Sequence, residues 1–378
     1  MDASTLLWER WSAQVKELFP KIHGHQKKTL ALFVLGIVLA GNAVLQRVAE
    51  GISLHGINPA KMTSIERRLA RFIANDRVVV RNIWEDFLSQ VWPFWHGKSL
   101  RFVLDCTPFR DEATIVYLGV LVHSRVLPVA WTVMPAQEKW EEKQWNIVAR
   151  LLDQIIPHLR EADCTLIADR GLAGFPLVKI CRDRSWHYLL RVSKEHTCQR
   201  KMGKGWSAWG RFDTFVHKTG QQWYGWAKVW KEDTLETYVS ACWMQDCEEG
   251  WMLISDQKAG KRRVKEYALR MRVESTFQDS KRRGWDLEAS LVKDEARLDR
   301  LLLALFLAMW WVSHLAASCM HHGKRDRFDR TDRRDKGIFR LGRLWLLDIL
   351  RRTRNRADLV HCLPFRKLAA GWHFSLRF

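Results

Sequence analysis

Two aspartates follow short apolar runs, and their carboxylates are candidate metal ligands. Asp105 comes after Phe-Val-Leu, and Asp169 comes after Leu-Ile-Ala. A carboxylate beside a buried strand is costly unless it is paired or bound to a metal ion. Either aspartate alone would equally fit a structural role, the capping of a turn at the end of a strand. Their occurrence in two separate strands of one predicted sheet favours a shared cation site.

A helix predicted over residues 262–283 carries four polar side chains at fixed spacing. Tyr267, Arg270, Glu274 and Lys281 fall at offsets 0, 3, 7 and 14. At 3.6 residues per turn they lie within a wedge of roughly 60° on one helix face. Such a face offers one metal ligand and three groups that can bind phosphate. A simple salt bridge between Arg270 and Glu274, one turn apart, is the structural alternative.

The charge balance restricts the kind of partner. The chain has 378 residues and a net charge of +20, from 62 basic and 42 acidic side chains. This excess predicts a polyanionic partner, either nucleic acid or an anionic membrane surface. Half of the excess lies in residues 321–378, with 16 basic and 6 acidic side chains. The apolar content, 47% of residues, excludes an intrinsically disordered chain.

Cysteine spacing and hydropathy weigh against two other classes of protein. The eight cysteines form no CxxC pair, so a zinc finger is not expected. The group Cys319, His321 and His322 remains a weak alternative zinc site. Residues 301–320 are uncharged and long enough to cross a membrane, but a buried core helix is the favoured interpretation. The thiols favour a reducing compartment, the cytoplasm.

The elements that must position the candidate residues are mixed. Residues 1–95 are predicted to be helical. Residues 101–109, 113–123 and 126–134 are β-rich runs that predict three antiparallel strands. Helices and strands then alternate up to about residue 192, so the fold class is α/β with a mixed sheet. Residues 195–250, rich in Gly, Trp and Thr, are interpreted as a small inserted β-subdomain.

One helix in the N-terminal part has a basic face. Thr63 and Glu66 match the pattern of a capping box at its start. Arg67, Arg68 and Arg71 lie opposite its apolar side. This face is either an ordinary solvated surface or a contact with DNA phosphates.

The pattern Tyr-x2-Arg-x3-Glu-x6-Lys resembles the signature of the insertion sequence 4 family of bacterial DDE transposases, known as the YREK motif. All four positions match. The chain order of Asp105, Asp169 and Glu274, with a β-rich insertion before the glutamate, is also similar. The Asp-Arg-Gly sequence that begins at Asp169 resembles the family's second-carboxylate motif. The resemblance covers about residues 100–320.

The resemblance implies an RNase H-like mixed-sheet catalytic core formed by residues 96–194 and 251–320. Residues 195–250 would be the β-rich insertion. A helical DNA-binding domain, residues 1–95, would precede the core. A basic helical segment, residues 321–378, would follow it and serve in DNA binding or dimerisation.

The resemblance also implies a reaction. Asp105, Asp169 and Glu274 would be the catalytic residues and would hold two Mg²⁺ ions, with Mn²⁺ able to substitute. Hard cations prefer carboxylate oxygens, and paired ions suit in-line phosphoryl displacement. The protein would bind the terminal inverted repeats of its insertion sequence as a homodimer, cleave them through a hairpin intermediate and join the 3′ ends to target DNA. It would act in the bacterial cytoplasm, on the nucleoid, without a membrane partner.

The remaining signature residues would contact DNA. The resemblance assigns Tyr267, Arg270 and Lys281 to phosphates near the cleaved end. It assigns Trp251, shortly before the signature helix, to stacking on a flipped base. An ordinary core position for Trp251, or stacking by Trp243 instead, remain alternatives. For the whole chain, the alternatives are an RNase H-like nuclease without strand transfer and a catalytically silent DNA-binding inhibitor of transposition.

Overall fold

The N-terminal part is helical, as predicted. The computed structural model describes residues 2–122, 125–138, 140–159, 161–280 and 284–352, apart from the side chains of Phe94, Glu141 and Glu142. Five helices come first: α1 (Ala3–Leu18), α2 (Gly24–Ala40), α3 (Leu45–Leu54), α4 (Met62–Ile73) and α5 (Val80–Val91). A 3-10 turn at Trp92–Trp95 leads into the sheet. The helices bury their apolar faces in the same hydrophobic core as the sheet.

The predicted capping box at the start of α4 is wrong. The helix begins at Met62, and Lys61 precedes it without a side-chain capping bond. Thr63 already lies within the first helical turn, so it lacks the extended backbone that a capping residue needs. The amphipathic pattern is confirmed, because Ile65, Leu69 and Phe72 are buried on one side of the helix.

The first half of the sheet has the predicted order of elements. Three antiparallel strands come first: β1 (Ser99–Phe109), β2 (Ala113–Val122) and β3 (Arg125–Pro135). They are followed by α6 (Trp140–Ile155), β4 (Asp163–Ala168), α7 (Phe175–Asp183) and β5 (His187–Val192). β1 pairs in parallel with β4, and β4 pairs in parallel with β5. This mixed α/β sheet is consistent with an RNase H-like domain.

The inserted strands continue this sheet. They are β6 (Thr197–Met202), β7 (Gly205–Trp206), β8 (Gly210–Arg211), β9 (Gln222–Val229) and β10 (Leu235–Cys242), followed by β11 (Trp251–Ser255). In the described residues the order is β3-β2-β1-β4-β5-β11-β10-β9-β6-β7, with β8 on β6. Because β11 pairs with both β5 and β10, the insertion is joined edge to edge with the core. The predicted domain boundaries stay predictions.

The signature segment is not the single helix that was predicted. It consists of α8 (Lys261–Ala268), a 3-10 turn at Leu269–Met271 and α9 (Arg272–Gln278). A 3-10 turn has 3.0 residues per turn and a rise of about 2.0 Å per residue. It therefore shifts the angle between Tyr267 and Glu274 from that of a uniform helix; the common wedge of the four residues stays a prediction, because Lys281 lies outside the described residues.

Two late helices complete the core. They are α10 (Glu295–His321) and α11 (Ile338–Arg352). In the described residues, α10 is the one single helix long and apolar enough to cross a membrane, and the bent pair of α2 and α3 passes the same test together. Inside the fold, 94% of the apolar window of α10 is buried. It packs against β3, α2 and α11, which agrees with the core-helix interpretation.

Arginines of α10 and α11 bind the carboxyl ends of N-terminal helices. Arg300 on α10 donates to the carbonyl oxygen of Ile73, at 2.9 Å, and to Asp76. Arg343 on α11 donates to the carbonyl oxygens of Leu39 and Ala40, at 2.9 and 3.1 Å. A cation at this end of a helix satisfies free carbonyls and complements the helix dipole. These contacts fix α4 and α2 to the late helices.

Tryptophan side chains cover the outer edge of β3. The indole N–H of Trp310 donates to the carbonyl of Pro128, at 2.8 Å, and that of Trp84 donates to Val129, at 2.7 Å. Trp131 on β3 itself donates to Asp299, at 2.6 Å. The edge of the sheet is therefore bonded to the helical layer.

The crossing of α10 and α11 predicts a large effect of one methyl group. A Cβ atom at Gly342 would lie 1.9 Å from the carbonyl oxygen of Val312. We expect Gly342→Ala to lower the free energy of unfolding by about 1–3 kcal/mol or more, the usual cost of overpacking. Urea unfolding measures it. Gly24→Ala, whose Cβ would meet no atom within 4 Å, is the control and should not destabilise. Equal stability of the two variants would contradict this packing.

The buried His314 of α10 predicts a dependence of stability on pH. Burial lowers the pKa of His314 from 6.5 to about 4, and its Nδ1 atom has no hydrogen-bond partner in the described structure. Between these values the unfolded chain binds a proton that the folded chain does not, so stability falls as pH falls. The loss reaches at most about 3 kcal/mol near pH 4.

We expect His314→Leu to remove this contribution. Unfolding free energies of the two proteins, measured from pH 8 to pH 4, should diverge below pH 6.5 in favour of the variant. A constant difference over the whole range would contradict the assignment.

Candidate active site

Three carboxylates from separate elements converge on one guanidinium. Arg270 Nη2 lies 2.7 Å from Asp105 Oδ2 and 3.2 Å from Asp169 Oδ2. Its Nη1 atom lies 3.8 Å from Glu274 Oε1. Asp105 and Asp169 are thus neighbours across a single nitrogen atom, with Glu274 beside them. The structure brings together the three acidic residues that the sequence singled out.

Strand register explains the meeting of the two aspartates. Leu104 on β1 is paired in parallel with Ala168, the last residue of β4. Each aspartate is the next residue, so their side chains leave adjacent strands at the same level. Asp105 lies within its strand, paired with Tyr117, whereas Asp169 lies just beyond the end of β4. The aspartate side chains are 13% and 34% exposed, and that of Glu274 is 50% exposed, so the cluster opens towards the glutamate.

The electrostatics of the cluster are dominated by burial and by like charge. Burial raises the pKa of Asp105 to about 6; the charge of Arg270 opposes this rise, and the charge of Asp169 adds to it. Burial disfavours the charged form of Arg270, but the neighbouring carboxylates outweigh it and raise the pKa of Arg270. The site therefore holds more negative charge than one guanidinium neutralises, and it favours a further cation.

A buried ionic network positions the signature segment, and the sequence did not reveal it. Glu266 on α8 is fully buried and accepts from Arg101 on β1. Arg263 Nη1 lies 2.5 Å from the other carboxylate oxygen of Glu266. The network ties α8 to the strand that carries Asp105. Its one signal in the sequence is a single acid directly after a basic run, residues 261–265, which also fits a surface ion pair.

Tyr267 and Trp251 pack together beside the carboxylates. Their ring centroids are 5.1 Å apart in an edge-to-face contact. The hydroxyl of Tyr267 is buried without a hydrogen-bond partner in the described structure, and burial raises its pKa to about 12. Trp251 is 8% exposed at the start of β11. Stacking of a DNA base on Trp251 stays a prediction and would require its covering side chains to move. Trp243, the alternative, is half-buried.

Two further arginines at the rim of the cluster share one carboxylate partner, Glu249. Arg170 Nη1 and Arg191 Nη2 lie 2.8 and 2.6 Å from the same oxygen of Glu249. Arg170 follows Asp169 directly in sequence, yet its ion pair is with Glu249. It carries the same charge as Arg270 but belongs to a different ion-pair group.

The other predicted DNA contacts lie apart from the cluster or outside the described residues. Lys281 lies outside the described residues. Arg67, Arg68 and Arg71 are exposed on α4, and within the described parts of the chain none of them makes an ion pair. Their role in DNA binding stays a prediction.

The three carboxylates are the type of ligand that a divalent ion prefers. Their spacing, however, is that of acids placed around a guanidinium. Among the residues that the structure describes, no three His, Cys, Asp or Glu side chains are placed so that they could hold one ion. The group of Cys319, His321 and His322, the alternative zinc site, is likewise not placed to hold an ion. At the carboxylate cluster the guanidinium of Arg270 lies between the acids. Three hard oxygen ligands that already hold a cation are the chemistry that Mg²⁺ and Mn²⁺ require.

Comparison with known proteins agrees with this geometry. Residues 141–311 match a family model described as transposase DDE domain. The match contains Asp169 and Glu274 and begins after Asp105. A search of curated proteins finds no match. DDE transposase domains generally use divalent metal ions, and transposases bind DNA. The family match therefore supports a DDE transposase with an RNase H-like fold.

Proposed function

We propose that this chain is a transposase of the insertion sequence 4 family that binds the terminal inverted repeats of its element, cleaves them and joins their 3′ ends to target DNA. The observation that carries the proposal is the convergence of Asp105, Asp169 and Glu274 around one cation. The family match covers two of the three acids. The proposal includes two Mg²⁺ ions and a hairpin intermediate.

In this mechanism the three carboxylates hold the ions and no side chain acts as nucleophile. When bound, divalent ions of this kind activate water or a 3′-hydroxyl and stabilise the leaving oxygen. Asp105 and Asp169 are fixed by the register of β1 and β4, which keeps them at one level of the sheet. Glu274, at the exposed side of the cluster, can approach from α9. The protein thus supplies a rigid pair of ligands and a third ligand from a neighbouring helix.

The signature donors would bind the phosphates of the cleaved end. The unpaired hydroxyl of Tyr267 supports this role, because a buried donor without a partner costs about 1–3 kcal/mol and a phosphate oxygen would satisfy it. Arg270 has the planar, bidentate geometry that suits a phosphate. Lys281 completes the set by the match to the family signature, and Trp251 is proposed to stack on a flipped base.

The basic face of α4 is proposed to bind the terminal repeat. Its arginines are exposed and make no ion pairs within the described chain, while Arg300 ties the carboxyl end of the helix to the core. A DNA contact on this face would therefore be held at a fixed distance from the carboxylates. We further propose that the enzyme acts as a homodimer in the synaptic complex, in the bacterial cytoplasm.

Loss of the third carboxylate should separate binding from cleavage. We expect Glu274→Gln to lower Mg²⁺-dependent cleavage of DNA containing the element end by at least about 100-fold, since even partners of metal ligands are worth 10–100-fold. Binding of the same DNA, measured by mobility shift, should persist. Glu232→Gln, an exposed glutamate in the turn between β9 and β10, is the control and should cleave normally.

The same assay distinguishes the alternatives. Joined product in a plasmid-integration assay supports a transposase, whereas cleavage without joining supports a nuclease. Absence of cleavage by the unaltered protein would support the inhibitor. If Glu274→Gln cleaves as well as the unaltered protein, the assignment of the carboxylates fails.

The basic face predicts a change in salt dependence. We expect replacement of Arg67, Arg68 and Arg71 by Gln to weaken DNA binding. The slope of log affinity against log salt should become shallower by about 1 for each phosphate that the variant no longer neutralises. Fluorescence anisotropy at several salt concentrations measures the slope. Because the three side chains are exposed, thermal stability should not change. An unchanged slope would exclude this face from the DNA interface.

A further inference from the structure

The guanidinium of Arg270 lies between the three carboxylates that are proposed to bind metal ions. It bonds Asp105 Oδ2 and Asp169 Oδ2 through one nitrogen and lies 3.8 Å from Glu274 through the other. Its side chain is 10% exposed. Within the described residues it is the one cation that forms ion pairs with either aspartate. The arginine is therefore a built-in counterion of the carboxylate cluster.

The charge of the cluster requires such a counterion when no metal is bound. Three carboxylates in a partly buried site repel one another, and the ion pairs of Arg270 with them offset this repulsion. A guanidinium cannot lose its proton at physiological pH, so its positive charge is permanent. The guanidinium can therefore leave the carboxylates only if the side chain rotates away, and it would then need another anion as its partner.

A divalent ion and Arg270 would compete for the same oxygens. An ion bound to Oδ2 of both aspartates would displace the hydrogen bonds of Nη2 and repel the guanidinium. The N–H donors of the displaced guanidinium match the geometry of the two free oxygens of a phosphodiester. The 3-10 turn that carries Arg270, between α8 and α9, is a short break in the helix at the position where the side chain would have to turn.

We propose that Arg270 closes the metal-free site as an internal cation, and that metal loading releases it to bind a DNA phosphate. The inference rests on the proposed function. Metal binding and DNA binding would then favour each other, because each stabilises the released arginine. Coupling between two sites is reciprocal and typically amounts to 5–150-fold in affinity.

Metal binding without turnover tests the first half of the proposal. Mn²⁺ binding to the full chain, without DNA, is measured by calorimetry for the unaltered protein, Arg270→Gln and Arg170→Gln. We expect Arg270→Gln to bind Mn²⁺ at least 5-fold more tightly. Arg170→Gln removes the same charge next to Asp169 but not from the cluster, so its affinity should equal that of the unaltered protein. Arg270→Lys, which keeps the charge, should lie between and replaces Arg270→Gln if that variant does not fold.

DNA binding with Ca²⁺ as the probe ion tests the second half. Saturating Ca²⁺ should raise the affinity of the unaltered protein and of Arg170→Gln for end-containing DNA at least 5-fold over the value in a chelator. In Arg270→Gln this increase should disappear.

The outcomes separate the inference from the proposed function. If Glu274→Gln abolishes Mn²⁺ binding but Arg270→Gln binds Mn²⁺ no more tightly than the unaltered protein, the inference fails while the metal site stands. A Ca²⁺-dependent increase that survives in Arg270→Gln also overturns it. If the unaltered protein binds no Mn²⁺ that depends on Glu274, the proposed function fails and the inference fails with it.

Discussion

Repulsion among three carboxylates is the constraint around which the candidate site is arranged. Asp105 and Asp169 reach the same level because β1 and β4 are paired in parallel, and Glu274 arrives from α9. Holding like charges this close requires rigid support, which the buried contact of Glu266 with Arg101 supplies beneath α8. It also requires positive charge within the cluster, which Arg270 on the 3-10 turn supplies. The register of β1 and β4, the buried ion pair of Glu266 and the position of Arg270 on its 3-10 turn therefore all help to hold the three carboxylates close together.

The sequence predicted which acidic residues meet better than the geometry around them. The apolar runs before Asp105 and Asp169 predicted two strands that bring both aspartates to one site. The pairing of β1 with β4 agrees with this prediction. The helix predicted from residue 262 contains a 3-10 turn at Leu269–Met271, and hydrophobic periodicity alone does not show such a turn. The pairing of β11 with β5 could not be predicted either, since partner choice between strands distant in sequence depends on the packing of the whole sheet.

The net charge of +20 overstates the basic surface that is free to meet DNA. Arg300 and Arg343 are used inside the protein, on the carboxyl ends of α4 and α2. Arg101 and Arg263 are buried on Glu266. A basic composition thus combines two uses of arginine, internal attachment and external contact, and composition alone does not distinguish them. The exposed arginines of α4 lack acidic partners in the described chain, and their contact with DNA stays a prediction.

Two of the 21 Trp side chains, Trp84 and Trp310, have a defined role along β3. An indole nitrogen donates and does not accept, so it can satisfy a carbonyl of an edge strand while its ring fills the space below the helices. With the carbonyls of Pro128 and Val129 bound in this way, the outer margin of β3 is a poor template for an incoming strand. The sheet consequently has a terminated end and an extendable end. In the described residues the opposite end of the sheet, at β7 and β8, is distant in the strand order from β1 and β4, so strands could be added there without disturbing the carboxylates.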